Sequence, residues 1–295
     1  MKNTTVKSQY YTSSGEPHDF ERYFIAIVAF ISAIILIYLS FMGPMAKGEI
    51  IYKTHPIIIN QVIAQDAVNA FVIAPLLLIA ALGLILKWKQ SKYFLSLTPL
   101  YMIYFAISYG LGWEWMAPTY WGNSEAWFFH YLFILISSLL ILLYCFRVFP
   151  SKARFQFKKS HLMVYSTLCT LFLILFGMMW TKEVFEVIQT GTSRSYDLSP
   201  TAFWLVRLFD LGFSIPLGLV SVYLLWISPA KAFAIQMLFF GFFVTMSIVV
   251  NAMSLVMYIN EDPTFEPISS LIFLCLFLIV MAGYIFVLKA YNPKK

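Results

Sequence analysis

The chain consists of long, continuous apolar runs separated by short polar segments. Each run is close to the ~20 residues that a helix needs to cross a bilayer, and the apolar residues do not alternate with polar ones as they do in membrane β-barrels. We therefore expect an all-α membrane protein. The pattern predicts eight transmembrane helices, at 23–43, 62–86, 94–112, 127–149, 161–180, 202–226, 231–257 and 267–289.

The amino-acid composition supports this fold class. Of 295 residues, 61% are hydrophobic and only 12% are charged, whereas about a quarter of a soluble protein is charged. The net charge of +6 does not indicate a nucleic-acid partner, because the basic residues lie in short segments between the spans. Cys145, Cys169 and Cys275 lie inside apolar runs without metal-ligand spacing, so we expect small core residues and no metal.

Lysine and arginine are distributed unevenly between the two sides of the predicted bundle. Fifteen lie before the first span, in the 2–3, 4–5 and 6–7 connections or near the C-terminus, and four lie in the opposite connections. This positive-inside bias predicts a protein of the cell (cytoplasmic) membrane with both termini in the cytoplasm. The first span is expected to stay uncleaved, because its apolar run is too long for a signal peptide.

A shift of 141 residues superposes the first half of the chain on the second. It places Asn69 on Asp210 and Pro75 on Pro216, and the apolar run after each proline matches. Two units of four spans share one orientation, as in transporters built from parallel repeats. The predicted organisation is a cytoplasmic tail at 1–22, a first four-helix membrane repeat at 23–149, a basic linker at 150–160, a second repeat at 161–289 and a cytoplasmic tail at 290–295.

Two of the predicted spans carry ionisable residues, which are costly inside a membrane and usually functional or paired. Asp66 and Asn69 are three residues apart and share a helix face, as do Arg207 and Asp210. If the repeat holds, Asp66 pairs with Arg207 across the pseudo-axis, and Asn69 and Asp210 lie one turn deeper. These side chains would form either a polar pocket open to the outside or a purely structural ion pair.

Proline follows each of these polar faces. Pro75 and Pro216 lie six residues after Asn69 and Asp210, and a proline inside a membrane helix frees a backbone carbonyl. We expect both to kink their helices, which helps to build a polar site.

Further candidates lie near the predicted outer surface. Glu114 and Asn251 are placed where they could face the same cavity, and His130 opens the fourth span, either as a titrating group or as an ordinary interfacial residue. The aromatic segment 112–130 between the third and fourth spans fits a belt at the headgroups. Alternatively, it caps an outer cavity in which its rings hold a cation or stack on a flat ligand.

Several catalytic and cofactor motifs are missing. The chain contains no G-x-x-x-x-G-K-[ST], no H-E-x-x-H and no G-x-S-x-G, which argues against an ATP-driven pump and the common hydrolases. It has no histidine pair in the middle of the membrane that could ligate a haem. We therefore expect no cofactor and no metal.

The sequence resembles a group of multi-span membrane proteins of bacteria and archaea that have no assigned activity. The resemblance rests on Gln65-Asp66 followed by Pro75, and on Asp210 followed by Pro216. It implies an inner-membrane architecture with many spans, and it carries no catalytic residue over to this chain.

Three classes of function are consistent with these observations. The best supported is a transporter or binding protein that takes a small polar or cationic solute through an outward-facing pocket, with protonation of an acid as the coupling step. The second is a receptor-like or accessory subunit with a structural ion pair and aromatic loops that meet a partner. The third, an enzyme acting on a lipid-linked substrate, has only Asp66, Glu114 and His130 as possible acid–base groups. The lipid bilayer is the one certain partner, and a protein partner or homo-oligomer stays open.

Overall fold

The computed structural model describes residues 18–112, 119–150, 153 and 155–291, and every regular element within them is helical. Two π-helical segments interrupt otherwise continuous helices, at Asn69–Ile73 and Asp210–Ser214. The α-helices are α1 Asp19–Met42, α2 Ile59–Val68, α3 Ala74–Ile85, α4 Ser91–Ser96, α5 Pro99–Leu111, α6 Phe128–Val148, α7 Lys159–Thr190, α8 Arg194–Leu198, α9 Pro200–Phe209, α10 Ile215–Ile227, α11 Phe233–Ile259 and α12 Pro267–Tyr291.

Seven helical stretches in the described part of the chain are long and apolar enough to cross a membrane. They are Asp19–Met42, Pro56–Ile85, Ser124–Val148, Lys159–Thr190, Pro200–Ile227, Phe233–Ile259 and Pro267–Tyr291.

The third predicted span, 94–112, is not a single helix. The chain forms α4 and then α5, with a break at Leu97 and Thr98, because Pro99 has no N–H with which to continue the helical hydrogen bonds. The 13 residues of α5 rise about 20 Å, less than the ~30 Å of a bilayer core. At the break, Gly241 of α11 lies so close that a Cβ would collide with the Ser96 carbonyl oxygen and Leu97.

The helix predicted at 161–180 is longer than expected. It continues to Thr190 and ends at Gly191, whose φ of 75° is left-handed. The polar sequence after Trp180 contains no proline or glycine before Gly191, so nothing stops the helix at the predicted boundary. Glu183 and Glu186, expected in a loop, therefore lie on the last turns of α7.

The two π segments lie at corresponding places in the chain. Asn69–Ile73 and Asp210–Ser214 are 141 residues apart, and each ends two residues before a proline. The proline ring clashes with the carbonyl four residues earlier and leaves it without a donor. A wider π turn relieves that clash, so the expected kinks take this form.

The halves of the molecule, residues 18–150 and 153–291, pack differently. In the first half α1 packs along α3 and α6, and α5 packs along α6, which gives a closed bundle. In the second half α7 packs mainly on α10, and α12 packs mainly on α11. α11 is the most enclosed of the seven stretches. In its apolar 18-residue segment 72% of the residues are buried, against 17% in the segment of α7 and 11% in that of α12.

The contact between the halves is also uneven. α11 packs closely along α2, whereas α5 touches α9 only sparsely. The described connections 43–58, 119–127, 191–199 and 260–266 lie at one end of the bundle, here called the acidic end. The described connections 86–90, 155–158 and 228–232 lie at the other end, here called the basic end. The sparse contact between α5 and α9 leaves a cavity toward the acidic end.

Candidate functional site

The central cavity lies between the two halves and has a volume of about 800 Å³. Its walls come from α2 and α5 of the first half, and from the end of α7, α9, α11 and the beginning of α12 of the second. This volume is within the range of small-molecule sites, roughly 300–1,000 Å³. The charged residues that line it within the described chain are Glu183, Glu186, Arg207 and Glu266.

Arg207 is the one cation on this wall, and its side chain is only 9% exposed. Its guanidinium forms an ion pair with Glu183 and donates to Ser195 Oγ at 3.2 Å. It lies over the ring of Trp180, with the guanidinium carbon 4.3 Å from the ring centre, and over Phe203 at 3.9 Å. Because the planar guanidinium stacks and hydrogen-bonds at once, this cage is specific for arginine.

The local fold explains why this cage forms. Extension of α7 beyond Trp180 places Glu183 one turn later on the same helix face, and the left-handed Gly191 then turns the chain back. Ser193 caps the short helix α8, its Oγ accepting from Tyr196 N at 3.3 Å. α8 brings Ser195 over the end of α9, where Arg207 lies.

The electrostatics of the cavity favour a cation. Among the described residues of the lining, three carboxylates face one guanidinium, and these four groups have a net charge of −2 when all are ionised. Among the described residues, Glu186 has no cationic partner. The remaining wall is aromatic, thioether and hydroxyl in character, and it includes Tyr104, Phe203, Met246, Met253, Ser254, Phe265 and Phe273. Aromatic faces and methionine sulfur accommodate an organic cation better than a hydrated metal ion.

Asp66 does not pair with Arg207, which corrects the central expectation from the sequence. It does not line the cavity; its carboxylate is buried in the first half, where Oδ2 accepts from Met45 N at 3.3 Å. A Cβ on Gly43 would collide with that carboxylate. The helix face that carries Asp66 points toward the end of α1, whereas Arg207 points toward α7. The two charged groups therefore lie apart.

Asn69 belongs to a buried network that reaches the cavity wall. Tyr101 OH donates to Asn69 Oδ1 at 2.5 Å, and Gln65 Nε2 donates to both Tyr101 OH and Asn69 Oδ1. Gln65 also lines the cavity. The Asn69 amide nitrogen has no partner among the described residues. The network therefore connects the cavity to the interior next to Asp66.

Asp210 is buried at the start of the second π segment and does not line the cavity. It accepts from Ser214 Oγ at 3.3 Å. It lies within electrostatic range of Arg207 and of Tyr104, a residue of the cavity wall. Of the four predicted polar residues, only Arg207 forms part of the cavity surface.

The other candidates occupy different places. Glu114 lies outside the described residues, as does part of the aromatic segment. His130 packs against Tyr38 and Trp127, with ring centres 5.4 and 5.5 Å away, at the contact of α1 with α6. Asn251 donates to the carbonyls of Ser247 and Phe273 at 2.8 and 3.1 Å, so its amide joins α11 to α12. The structure does not bring His130 or Asn251 into the cavity.

A polar cluster at the acidic end ties the halves together beside the cavity. Asn60 Nδ2 donates to Asp262 Oδ2 at 2.7 Å, and Thr264 donates its N–H and its hydroxyl to Asp262 Oδ1. Burial raises the pKa of Asp262, but the hydrogen bonds from Thr264 and Asn60 outweigh it, and the net pKa lies below its ordinary value. The carboxylate is thus held ionised in a connection between α11 and α12.

Sequence reasoning missed Glu183, Glu186, Gln65 and Tyr101 as site residues. Glu183 and Glu186 follow the predicted end of the fifth span at 180, although their three-residue spacing after Trp180 is that of one helix face. Gln65 carries a signal, since it is a polar residue beside Asp66 in an apolar run. Tyr101 carries none, because tyrosine is common in such helices.

Searches of protein families, of curated proteins and of solved structures find no match to this chain.

Proposed function

We propose that this protein is a membrane transporter that binds a small organic cation, such as an alkylamine or quaternary ammonium compound, in the central cavity. The observation that carries the proposal is a cavity of about 800 Å³ between the halves, in which three carboxylates face one arginine. Arg207 is already neutralised by Glu183, so Glu186 supplies the charge that a ligand compensates.

The proposed topology has eight crossings, with α4 and α5 together forming the third and with both termini in the cytoplasm. The excess of lysine and arginine at the basic end supports this orientation. The acidic end then faces outward, and the cavity is reached from outside. The location in the cell membrane is part of the same proposal.

A pseudo-symmetric repeat is the proposed basis of transport. It is supported by the two π segments and prolines 141 residues apart, and by the central position of the cavity between the halves. Transporters built from repeats bind at the repeat interface and alternate by rocking one repeat against the other. The sparse contact of α5 with α9 is where such a movement would close the cavity.

Asp66 is the proposed proton-coupling residue. Among the described residues its carboxylate has one hydrogen-bond donor, the Met45 N–H, and no cation within ion-pair distance. The adjacent Gln65 lines the cavity, so a change of charge at Asp66 can alter the wall through the Gln65–Tyr101–Asn69 network. Uptake of a proton by the Asp66 carboxylate as the halves move would couple the proton gradient to solute movement.

The binding step is tested on the full chain in detergent with choline and with its neutral isostere 3,3-dimethylbutan-1-ol. We expect choline to raise the unfolding temperature in a concentration-dependent manner and the neutral compound to have little effect. Glu186→Gln should weaken the choline effect. Glu261→Gln, which removes an exposed acid at the same end but outside the cavity lining, should not.

The transport step is tested in proteoliposomes loaded with buffer at a different pH. Radiolabelled choline should accumulate with an imposed pH gradient in the wild type, and Asp66→Asn should bind choline but lose the gradient dependence. If choline and the neutral isostere stabilise the protein equally, the cation site is wrong. If Asp66→Asn retains gradient-driven uptake, binding stands and the coupling role of Asp66 is wrong.

A further inference from the structure

A second cavity lies in the other part of the molecule, near the basic end. It is an apolar groove of about 440 Å³ between α7 and α12, with α11 as its floor, and is here called the α7–α12 groove. On α7 it extends from His161 to Phe172, and on α12 from Leu276 to Phe286. Phe239, Phe240 and Phe243 of α11 form the floor.

At the corresponding place in the first half, α1 packs directly against α6. The small residues Ala26, Ala29 and Ala33 of α1 are buried in that half, and small side chains allow membrane helices to approach closely. At a shift of 141, Ala282 in the groove corresponds to Ile141 of α6, which is completely buried. The groove therefore occupies the space that helix packing fills in the first half.

The dimensions of the groove select among hydrophobic occupants. From His161 to Phe172 the helix rises about 16 Å, which is close to half of the ~30 Å hydrocarbon core, or one leaflet. This length matches an acyl chain of a single leaflet rather than a helix that crosses the whole bilayer. The volume of about 440 Å³ leaves room for such a chain.

The charges at the rim select the headgroup. His161 lines the groove at its basic end, and Lys158 and Lys159 precede it at the beginning of α7. Lys289 lies in the last turn of α12. All four side chains are exposed, and lysines at the membrane surface attract anionic lipid.

We propose that the α7–α12 groove binds one anionic phospholipid from the leaflet at the basic end, with an acyl chain against the phenylalanine floor and the headgroup on Lys158, Lys159 and Lys289. This lipid would fill the space between α7 and α12 and so complete the packing of the second half. The site is separate from the central cavity, and the proposal does not depend on what that cavity binds.

Native mass spectrometry of the full chain tests the proposal, with dioleoyl phosphatidylglycerol and dioleoyl phosphatidylcholine as probes. We expect the wild type to retain one phosphatidylglycerol and to lose phosphatidylcholine. Ala282→Phe, which fills the groove, should abolish retention, and Leu274→Phe, on an exposed position of α12 outside the groove, should not.

A second set of variants tests the headgroup without disturbing packing. Combined replacement of Lys158, Lys159 and Lys289 by glutamine should weaken phosphatidylglycerol binding about fivefold for each lysine. The matched variant removes three other exposed lysines of the same end, Lys87, Lys89 and Lys231, and should bind as the wild type does. Equal retention of both lipids, or retention by Ala282→Phe, would overturn the proposal. So would a dimer that Ala282→Phe abolishes, because the occupant would then be a second copy of the chain.

Discussion

The two halves of this molecule carry similar series of apolar helices but pack them to different degrees. In the first half, the inner faces of α1 and α6 are buried against each other and against α3 and α5. In the second half, α7 and α12 pack mainly on α10 and α11, and many of their apolar side chains remain exposed. Ile134 of α6 is fully buried, whereas Cys275, its counterpart at a shift of 141, is exposed.

Both cavities lie where the packing is looser. The central cavity opens at the sparse contact of α5 with α9, whereas the corresponding contact of α2 with α11 is close. The α7–α12 groove opens where the first half has a direct helix contact. Small residues at a helix interface permit close approach, and bulky ones hold helices apart. The closed half thus serves as a scaffold, and the second half supplies most of the surface that can bind or move.

The largest expected effect comes from truncating the same residue type in the last helix of each half, α6 and α12. Ile134→Ala should lower the free energy of unfolding by about 2–5 kcal/mol, because it leaves a cavity in a closed bundle. Ile272→Ala should cost less than about 1 kcal/mol, because Ile272 is 58% exposed. The free energy of unfolding of both variants is measured by denaturation in mixed micelles. Equal losses would mean that α12 is as enclosed as α6.

The next effect tests how closely α11 approaches the break between α4 and α5. Gly241→Ala should destabilise the fold by about 1–3 kcal/mol, since its Cβ meets the backbone at Ser96 and Leu97. Gly212→Ala, where a Cβ meets nothing within 4 Å, should change the free energy of unfolding by less than about 1 kcal/mol. The same micelle titration compares them, and a tolerated Gly241→Ala would contradict this packing.

Removing Glu183 tests the arginine cage. Glu183→Gln leaves the buried Arg207 without its counter-ion and should lower the free energy of unfolding by about 2 kcal/mol, less than for a fully buried pair because Glu183 is 32% exposed. Glu186→Gln, on the same face of α7, should leave stability unchanged. Arg207→Lys should not restore the wild-type value, because lysine cannot stack and bridge in the same way. An Arg207→Lys variant as stable as the wild type would show that the cage needs only a charge.

The smallest effect concerns pH at the acidic end. The folded pKa of Asp262 is below its ordinary value of 3.8, so ionisation of Asp262 stabilises the folded state above that pH. This contribution, smaller than the effects above, is lost as the pH falls through the lowered pKa. Unfolding measured from pH 6 downward should show a decline that Asp262→Asn reduces. An identical slope in the variant would mean that other carboxylates dominate.

The sequence by itself determined the class of fold and most of the helices, because length and apolarity decide which segments can cross a membrane. It indicated the prolines and polar residues around which both π segments form. It did not predict the break before Pro99 as the end of a helix, because the apolar run continues through it. It does not predict the extension of α7 beyond 180, because the charged sequence after Trp180 fits a connection as well as a helix.

Only the tertiary structure decided which polar groups meet. Three-residue spacing places Asp66 with Asn69, and Arg207 with Asp210, on one helix face, but it cannot say what that face meets. Asp66 meets the backbone at the end of α1, and Arg207 meets Glu183, Trp180 and Phe203. The position of the cavity depends on how closely α2 approaches α11 and α5 approaches α9. The combined side-chain volumes of these four helices determine both approaches. The periodicity of one helix contains no information about the side chains of the other three.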